Sequence, residues 1–305
     1  MPSSRIDPMA ARAFAVEVIE KLRQGGYEAV WAGGCVRDQL LDRVPLDYDV
    51  ATAARPDAVR NIFGRRNTIA VGAAFGVITV IGSKDTGNVE VATFRSDAEY
   101  VDGRHPVGVT FCGAQEDALR RDFTINGLFF DPTAGNVIDY VGGQQDLSEG
   151  VVRAIGNPIM RFEEDHLRIL RAIRFSANFE FPIESNTRKA IVLLARKVES
   201  VSPERLAAEL RLMFSRQGRG EALRLLVNTN LINPLFGNRF ERSETFLFSA
   251  ADTLDAMKKP NISSAIAVLC YEKPRLAVEI SNHLRLSNHE RKLAVWLIEA
   301  VMVLG

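Results

Sequence analysis

An α+β N-terminal part, a mixed sheet with helices, followed by an all-α C-terminal part is the architecture that three observations predict. Segments rich in β-branched residues and bounded by turn residues cluster before about residue 150, apolar residues recur at three and four after it, and paired glycines punctuate the first helix–strand and strand–helix junctions. The 305 residues are 47% hydrophobic and 25% charged, enough apolar material for a core and enough length for two or more domains. A formal net charge of zero gives no global pull on nucleic acid, so a polyanionic partner has to be met by a local basic patch. The longest apolar runs, such as "AIVLLA" at 190–195, fall far short of the roughly 20 residues of a membrane span. With no signal-peptide core at the N-terminus either, a cytoplasmic chain with no membrane partner is expected. Cys35, Cys112 and Cys270 are few and scattered, which points to reduced thiols rather than a disulfide framework or a cysteine zinc site.

In chain order, Asp7 and Pro8 open a helix whose apolar face holds Ala11, Phe14, Val18 and Leu22, and Gly25-Gly26 close it. "YEAVWA" at 27–32 reads as a strand running into Gly33-Gly34, after which "CVRDQLL" has helical spacing. "YDVAT" at 48–52, "GVITVIG" at 76–82, "NVEVATF" at 88–94 and "NVIDYV" at 136–141 read as further strands, with a helix starting near Pro56 between the first two. From Pro158 the pattern is helical, as in Leu167, Leu170, Ile173 and Ala177 and then Leu206, Leu210 and Phe214, with Pro182, Pro203, Gly218 and Pro234 as breaks. The sequence holds no internal repeat, low-complexity tract or flexible linker.

The stretch "WAGGCVRDQLLDRVPLDYDVAT" at 31–52 carries the first chemistry. Residues i and i+2 of a strand share a face, so Asp47 and Asp49 can present both carboxylates to one point, an arrangement that calls for a cation between them. Mg2+ suits it, being a hard ion that takes oxygen ligands and keeps water and substrate phosphates in its shell. The same spacing also occurs at solvated strand ends, so the neighbours decide. Gly33 and Gly34 allow a close backbone approach to an anion at the start of the next helix, and Arg37 lies one turn in, placed for a phosphate oxygen. Together these residues point to a triphosphate and its magnesium.

"GGCVRDQLL" followed by "LDYDVAT" resembles the head signature of the class II tRNA nucleotidyltransferases and bacterial poly(A) polymerases. "EVATFR" at 90–95, "DGRHPVGVTF" at 102–111, "RRDFTINGLFFDP" at 120–132, "DYVGGQQDL" at 139–147, "RFEEDHLRILRAIRF" at 161–175 and "SPERLAAEL" at 202–210 follow in the family's order. The resemblance covers about residues 28–215. It implies a nucleotidyltransferase head at 1–150, a helical neck with the nucleotide-selecting helix at 151–215, and a helical RNA-binding body at 216–305. Family members commonly run longer than 305 residues, so a C-terminal tail segment is expected to be absent.

The activity implied is addition of nucleotides to an RNA 3′ end, with two Mg2+ ions at Asp47 and Asp49 and a third catalytic carboxylate at Glu90. Arg121, Asp122 and Asn126, with Gly33, Gly34 and Arg37, would hold the nucleotide, Asp122 also serving as the N-cap of a helix that Gly127 slightly loosens. Glu164, Asp165, Arg168 and Arg171 would select the base, Asp165 and Arg168 lying three apart on one helical face. A carboxylate can accept from the amino group shared by C and A, and a guanidinium can donate to a ring nitrogen or carbonyl. Ser202 would cap a helix whose Glu204 and Arg205 brace this one, Gly142 and Gly143 would form a hinge, and 95–111 would be the family's flexible loop. Basic residues of the helical half, Arg188 and Lys189 among them, would meet RNA phosphates. The partners expected are a tRNA 3′ end, ATP and CTP. An intact loop argues against CC-only addition, leaving CCA addition first and A addition or polyadenylation as alternatives. A noncatalytic RNA-binding protein would have lost Asp47 or Asp49, and an enzyme for small acceptors would not need the "EEDHLR" helix.

Overall fold

The computed structural model describes residues 6–45, 47–97, 109–237 and 240–304. The chain forms two compact units, Met1–Glu149 with Arg153–Gly156, and Gly150–Val152 with Asn157–Gly305. In the first, helices and strands alternate as α1 (Pro8–Gln24), β1 (Ala29–Ala32), α2 (Gly34–Leu40), β2 (Asp49–Thr52), α3 (Pro56–Phe63), β3 (Thr68–Ile69), β4 (Val77–Val80) and β5 (Val89–Thr93). There follow β6 (Arg95–Asp97), β7 (Val109–Phe111), α4 (Ala114–Leu119), β8 (Phe129–Asp131), β9 (Asn136–Ile138) and α5 (Gly143–Glu149). Seven strands make one mixed sheet in the order β3-β4-β5-β2-β1-β8-β9, and β6 and β7 pair separately. Among the described strands of this sheet β2 and β5 run parallel and the other neighbours are antiparallel.

Strand β2 is central, so Val50, Ala51 and Thr52 are all buried. On one face Val30, Ala32, Ala51, Phe94 and Phe129 pack with Ala114 and Ala118 of α4. Against β1 and β2 lies α1, burying Ala11, Ala15, Val18, Ile19 and Leu22. Its start follows from sequence: Asp7 accepts a hydrogen bond from the Met9 amide at 2.9 Å and Pro8 occupies the first turn.

The segment "RRDFTINGL" is not the capped helix its charges suggest. It makes one 3-10 turn, Thr124–Asn126, and then enters β8 between β1 and β9. Burial wins over capping here: Phe123, Ile125, Leu128 and Phe129 are all wholly buried, and Phe129 enters the sheet as the first residue of β8. Asp122 accepts from the adjacent Phe123 amide at 2.8 Å instead of capping a helix. Gly127 is required by space rather than loosening anything, since a Cβ there would lie 2.7 Å from Val141 Cγ2. Strands β3, β6 and β7 are too short to leave a periodic signal, and 98–108 of the expected flexible loop lies outside the described residues.

The second unit is helical: α6 (Pro158–Glu164), α7 (Leu167–Phe179), α8 (Ser185–Leu194), α9 (Pro203–Ser215), α10 (Arg219–Asn228), α11 (Ile232–Phe236), α12 (Glu244–Ala256), α13 (Ile262–Leu269), α14 (Pro274–His283) and α15 (Asn288–Leu304). Asn157 caps α6 through the Ile159 and Met160 amides. Glu184 caps α8, its carboxyl held down to about 2 because amide and hydroxyl hydrogen bonds from Asn186, Thr187 and Ser185 outweigh the effect of burial. Ser202 precedes α9 but its side chain makes no cap bond. Among the described residues no helix is long and apolar enough to cross a membrane. All three cysteines are free thiols, and burial pushes Cys35 and Cys270 up to about 12.

Candidate active site

Tyr48 fixes the aim of the two aspartates. It is buried, its ring 4.9 Å from that of Trp31, so backbone alternation turns Asp47 and Asp49 on either side of it outward, and both are exposed. Asp49 is the first residue of β2, while Asp47 lies just before the strand rather than in it. Glu90 sits in register with Asp49 across the parallel β2–β5 pair and faces solvent. Solvent reaches Asp49, yet protein crowds most of its surroundings. That desolvation, then the negative charges of Asp47 and Glu90, push its carboxyl from 3.8 up to about 6, with Arg121 pulling the other way.

Among the described residues no three His, Cys, Asp or Glu side chains stand as a ready-made metal cage. The donors present are Asp47 and Asp49, with Glu90 adding negative charge nearby. Such a set fits Mg2+, which is commonly held by one or two carboxylates and completed by substrate phosphates.

Gly33 carries φ of +70° where β1 turns into α2, a conformation that favours glycine. The turn is also close to Arg121: a Cβ on Gly33 would stand 3.0 Å from Arg121 Nη1 and push that guanidinium aside. Gly34, the first residue of α2, has ordinary φ. Arg37 is only 8% exposed, and it spends Nη1 on Asn126 Oδ1 at 2.6 Å and Nε and Nη2 on Asp38 Oδ1 at 2.9 and 2.6 Å. Asn126 in turn donates to Asp122 Oδ1 at 3.0 Å. Arg37, Asn126 and Asp122 thus form one chain of hydrogen bonds from α2 to the 3-10 turn. Arg121 reaches the Asn126 carbonyl at 3.4 Å and lies over the Phe129 ring at 4.9 Å. Asp117, which sequence reasoning missed, holds both Arg120 and Arg121. The available signal was its spacing of three and four from the two arginines, the helical ion-pair distance.

Below the turn, Gly142 has φ of +76°, and a Cβ on Gly143 would meet the Thr124 carbonyl at 2.2 Å. Asp139 accepts from the amides of Val141, Gly143 and Gln144, and Asp146 accepts from Thr124 Oγ1 at 2.6 Å.

In the helical unit the "EEDHLR" residues do not share one helix. The chain breaks between α6 and α7, where Asp165 is extended at φ −149° and ψ 104°, and Arg168 lies in the first turn of α7. The break still joins them: Asp165 accepts from the Leu167 amide at 3.1 Å and, through its carbonyl, from the Arg168 amide at 3.0 Å. Arg205 of α9 clamps Asp165 at 2.7 Å. Glu164 pairs with Arg168 and, at 2.9 Å, with Arg161, and Arg168 also donates to the Arg161 carbonyl at 2.9 Å. Glu204 turns instead to Arg285 at 2.6 Å. Arg171 and Arg174 share Glu209 of α9.

Residues 29–153 match the family described as "Poly A polymerase head domain", and residues 180–238 the one described as "Probable RNA and SrmB- binding site of polymerase A". The chain is 35% identical over 294 residues to the CCA-adding enzyme of Oceanobacillus iheyensis, a match spanning 94% of this chain and 70% of that protein. To the CCA-adding enzyme of Anoxybacillus flavithermus it is 34% identical over 302 residues, spanning 95% and 75%. Among solved structures, that of the Bacillus stearothermophilus CCA-adding enzyme in complex with CTP superposes with a TM-score of 0.82 at 31% identity, covering 95% of this chain and 69% of the other.

Proposed function

This chain belongs to the family of CCA-adding enzymes, which are nucleotidyltransferases, and on that premise we propose that it builds the CCA end of tRNA from CTP and ATP. In each step the RNA 3′-hydroxyl oxygen bonds to the α-phosphorus, the α–β phosphoanhydride bond breaks, and pyrophosphate leaves. The observation that carries the reading is the Asp47–Tyr48–Asp49 arrangement: a buried ring turns out two acids, one of them pushed up to about 6 by desolvation and then by its acidic neighbours, with an arginine nearby beside a glycine turn.

Asp47 and Asp49 would hold Mg2+, two ions in all, with Glu90 raising the local negative potential. Bound there, Mg2+ would make the 3′-hydroxyl more acidic and offset charge on the leaving oxygens. Gly33 and Gly34 give the triphosphate room against the backbone, and Arg121 meets its charge. Arg37, held by Asp38 and Asn126, keeps Asn126 and Asp122 aimed at the sugar. In the helical unit, Asp165 accepts from the exocyclic amino group of C or A and Arg168 donates to the ring, while Glu164 and Arg205 hold the pair in place and Arg171 adds positive charge beside it.

The test is incubation with labelled CTP or ATP, Mg2+, and tRNAs ending before CCA, after C, or after CC. CMP entering the first two and AMP the third is expected. Incorporation of AMP alone would favour A addition, a long A ladder on unrelated RNA would favour polyadenylation, and no incorporation would overturn the proposal. Arg168→Ala should relax the choice between CTP and UTP by roughly tenfold to a hundredfold, since a good side chain–base pairing is worth about 1–3 kcal/mol of discrimination. Unchanged selectivity in competition assays would count against the base-reading role.

A further inference from the structure

Arg121 is a long side chain close enough to Asp49 to lower its carboxyl, and its electrostatic preference is to collapse onto that acid. Doing so would cancel the charge that draws a cation to Asp49 and leave no donor for a phosphate. The structure instead turns the guanidinium by one edge. Asp117 Oδ2 accepts from Arg121 Nε at 3.2 Å and Nη2 at 2.9 Å, which places Nη1 at the opposite corner, beside the Gly33 turn, where one of its two N–H groups makes a long bond of 3.4 Å to the Asn126 carbonyl. The other oxygen of the same carboxylate accepts from Arg120 Nε at 3.0 Å, from Arg120 Nη2 at 2.7 Å and from the Arg95 amide at 3.2 Å. Arg120 Nε completes the grip on that residue by donating to the Arg95 carbonyl at 2.7 Å.

Asp117 is 1% exposed on α4, and its helix packs against the sheet core through Ala114 and Ala118. Its carboxylate is therefore a fixed point. Burial by itself would raise the carboxyl, but Arg121 and Arg120 outweigh it and hold the group ionised below the usual range. An edge-on pair of this kind fixes direction as well as distance, because the guanidinium is planar and both N–H vectors are committed.

We propose that Asp117 is the positioning residue for Arg121, locking its guanidinium so that Nη1 is presented at the glycine turn to a triphosphate oxygen instead of folding onto Asp49. This rests on the reading above that Arg121 meets the triphosphate. The rival role is purely structural: the same carboxylate ties α4 to the start of β6, and its loss would then loosen the unit without acting through Arg121.

A double-mutant cycle on the full chain separates the two. Asp117→Asn, Arg121→Ala and the double variant are compared for the KM for CTP, kcat and melting temperature, with Asp117→Glu as the charge-conserving control. In the wild-type background Asp117→Asn should raise the KM for CTP about tenfold or more with a smaller change in kcat, and Asp117→Glu should recover part of the loss. In the Arg121→Ala background Asp117→Asn should change the KM by less than about twofold. If Asp117→Asn melts below the assay temperature, the same cycle is run with Asp117→Glu. Equal effects of the Asp117 change in both backgrounds would overturn the inference while leaving the phosphate role of Arg121 standing. An unchanged KM in Arg121→Ala itself would bring down that role and this inference with it.

Discussion

Asp49→Asn should lower nucleotide incorporation by about 10³-fold or more while leaving the metal-free chain as stable as the wild type, or slightly more so. Metal-ion stabilisation of a phosphoryl transition state amounts to several kcal/mol, and each 1.4 kcal/mol is tenfold in rate. The stability expectation follows from the direction of the carboxyl's shift. Its value in the folded chain, about 6, lies above the ordinary 3.8, so between these limits the native state keeps a proton that the unfolded state gives up. Raising the pH through that window weakens the metal-free fold, and the amide variant escapes this penalty. A cation has to displace the proton, so Mg2+ should stabilise the wild type more at pH 7.5 than at pH 5, its apparent affinity falling about tenfold per unit below pH 6. Thermal melts with and without Mg2+ across this range read all of these effects. A variant that melts far below the wild type without metal, or that keeps its activity, would contradict the assignment.

Glu209→Ala is the second large effect, and it concerns the helix that carries Arg168. Arg174 of α7 and Glu209 of α9 are both buried and bonded at 2.6 Å, with Arg171 at 3.7 Å from the other carboxylate oxygen. Burial presses the Arg174 guanidinium below its usual range, and Glu209 opposes this. Without Glu209 the cation stays buried and unpaired, at a cost of about 3–5 kcal/mol. For a unit of this size, that corresponds to a melting temperature lower by about 10 °C. Replacing both partners together, Arg174→Met with Glu209→Leu, should recover most of the loss, since a packed apolar pair needs no neutralisation; the half-buried Arg171 can turn to solvent. A loss below about 1 kcal/mol in the single variant, measured by chemical denaturation, would show that Arg174 finds another partner or reaches water.

Local chemistry made much of this fold legible. Asp7-Pro8 and Gly25-Gly26 bound the first helix because capping and glycine conformations are properties of a few adjacent residues. The glycine turn after β1, strand β2 and the parallel partner β5 that brings Glu90 beside Asp49 lay within the stretches read as strands, whose β-branched residues mark them. What stayed hidden depends on partners distant in sequence. The stretch "RRDFTINGL" looks like a capped helix, and only the pairing of the strand after it with β1 and β9 draws it into the sheet domain as a single 3-10 turn. The break at Asp165 is invisible to helical spacing because Arg205, forty residues on, holds the extended residue in place. Arg37 reads as a phosphate ligand from its position one turn into a helix, whereas its partner Asn126 is 89 residues away. Asp117 has the local spacing of an ion-pair partner, but the burial that makes it a fixed anchor for Arg120 and Arg121 depends on α4 packing against the sheet.

Mn2+ titrated into the chain in the presence of a nonhydrolysable CTP analogue, with free ion followed by electron paramagnetic resonance, tests the metal assignment most directly. Binding by the wild type that weakens at least about tenfold in both Asp47→Asn and Asp49→Asn is the predicted result. Equal Mn2+ binding by all three chains would contradict it.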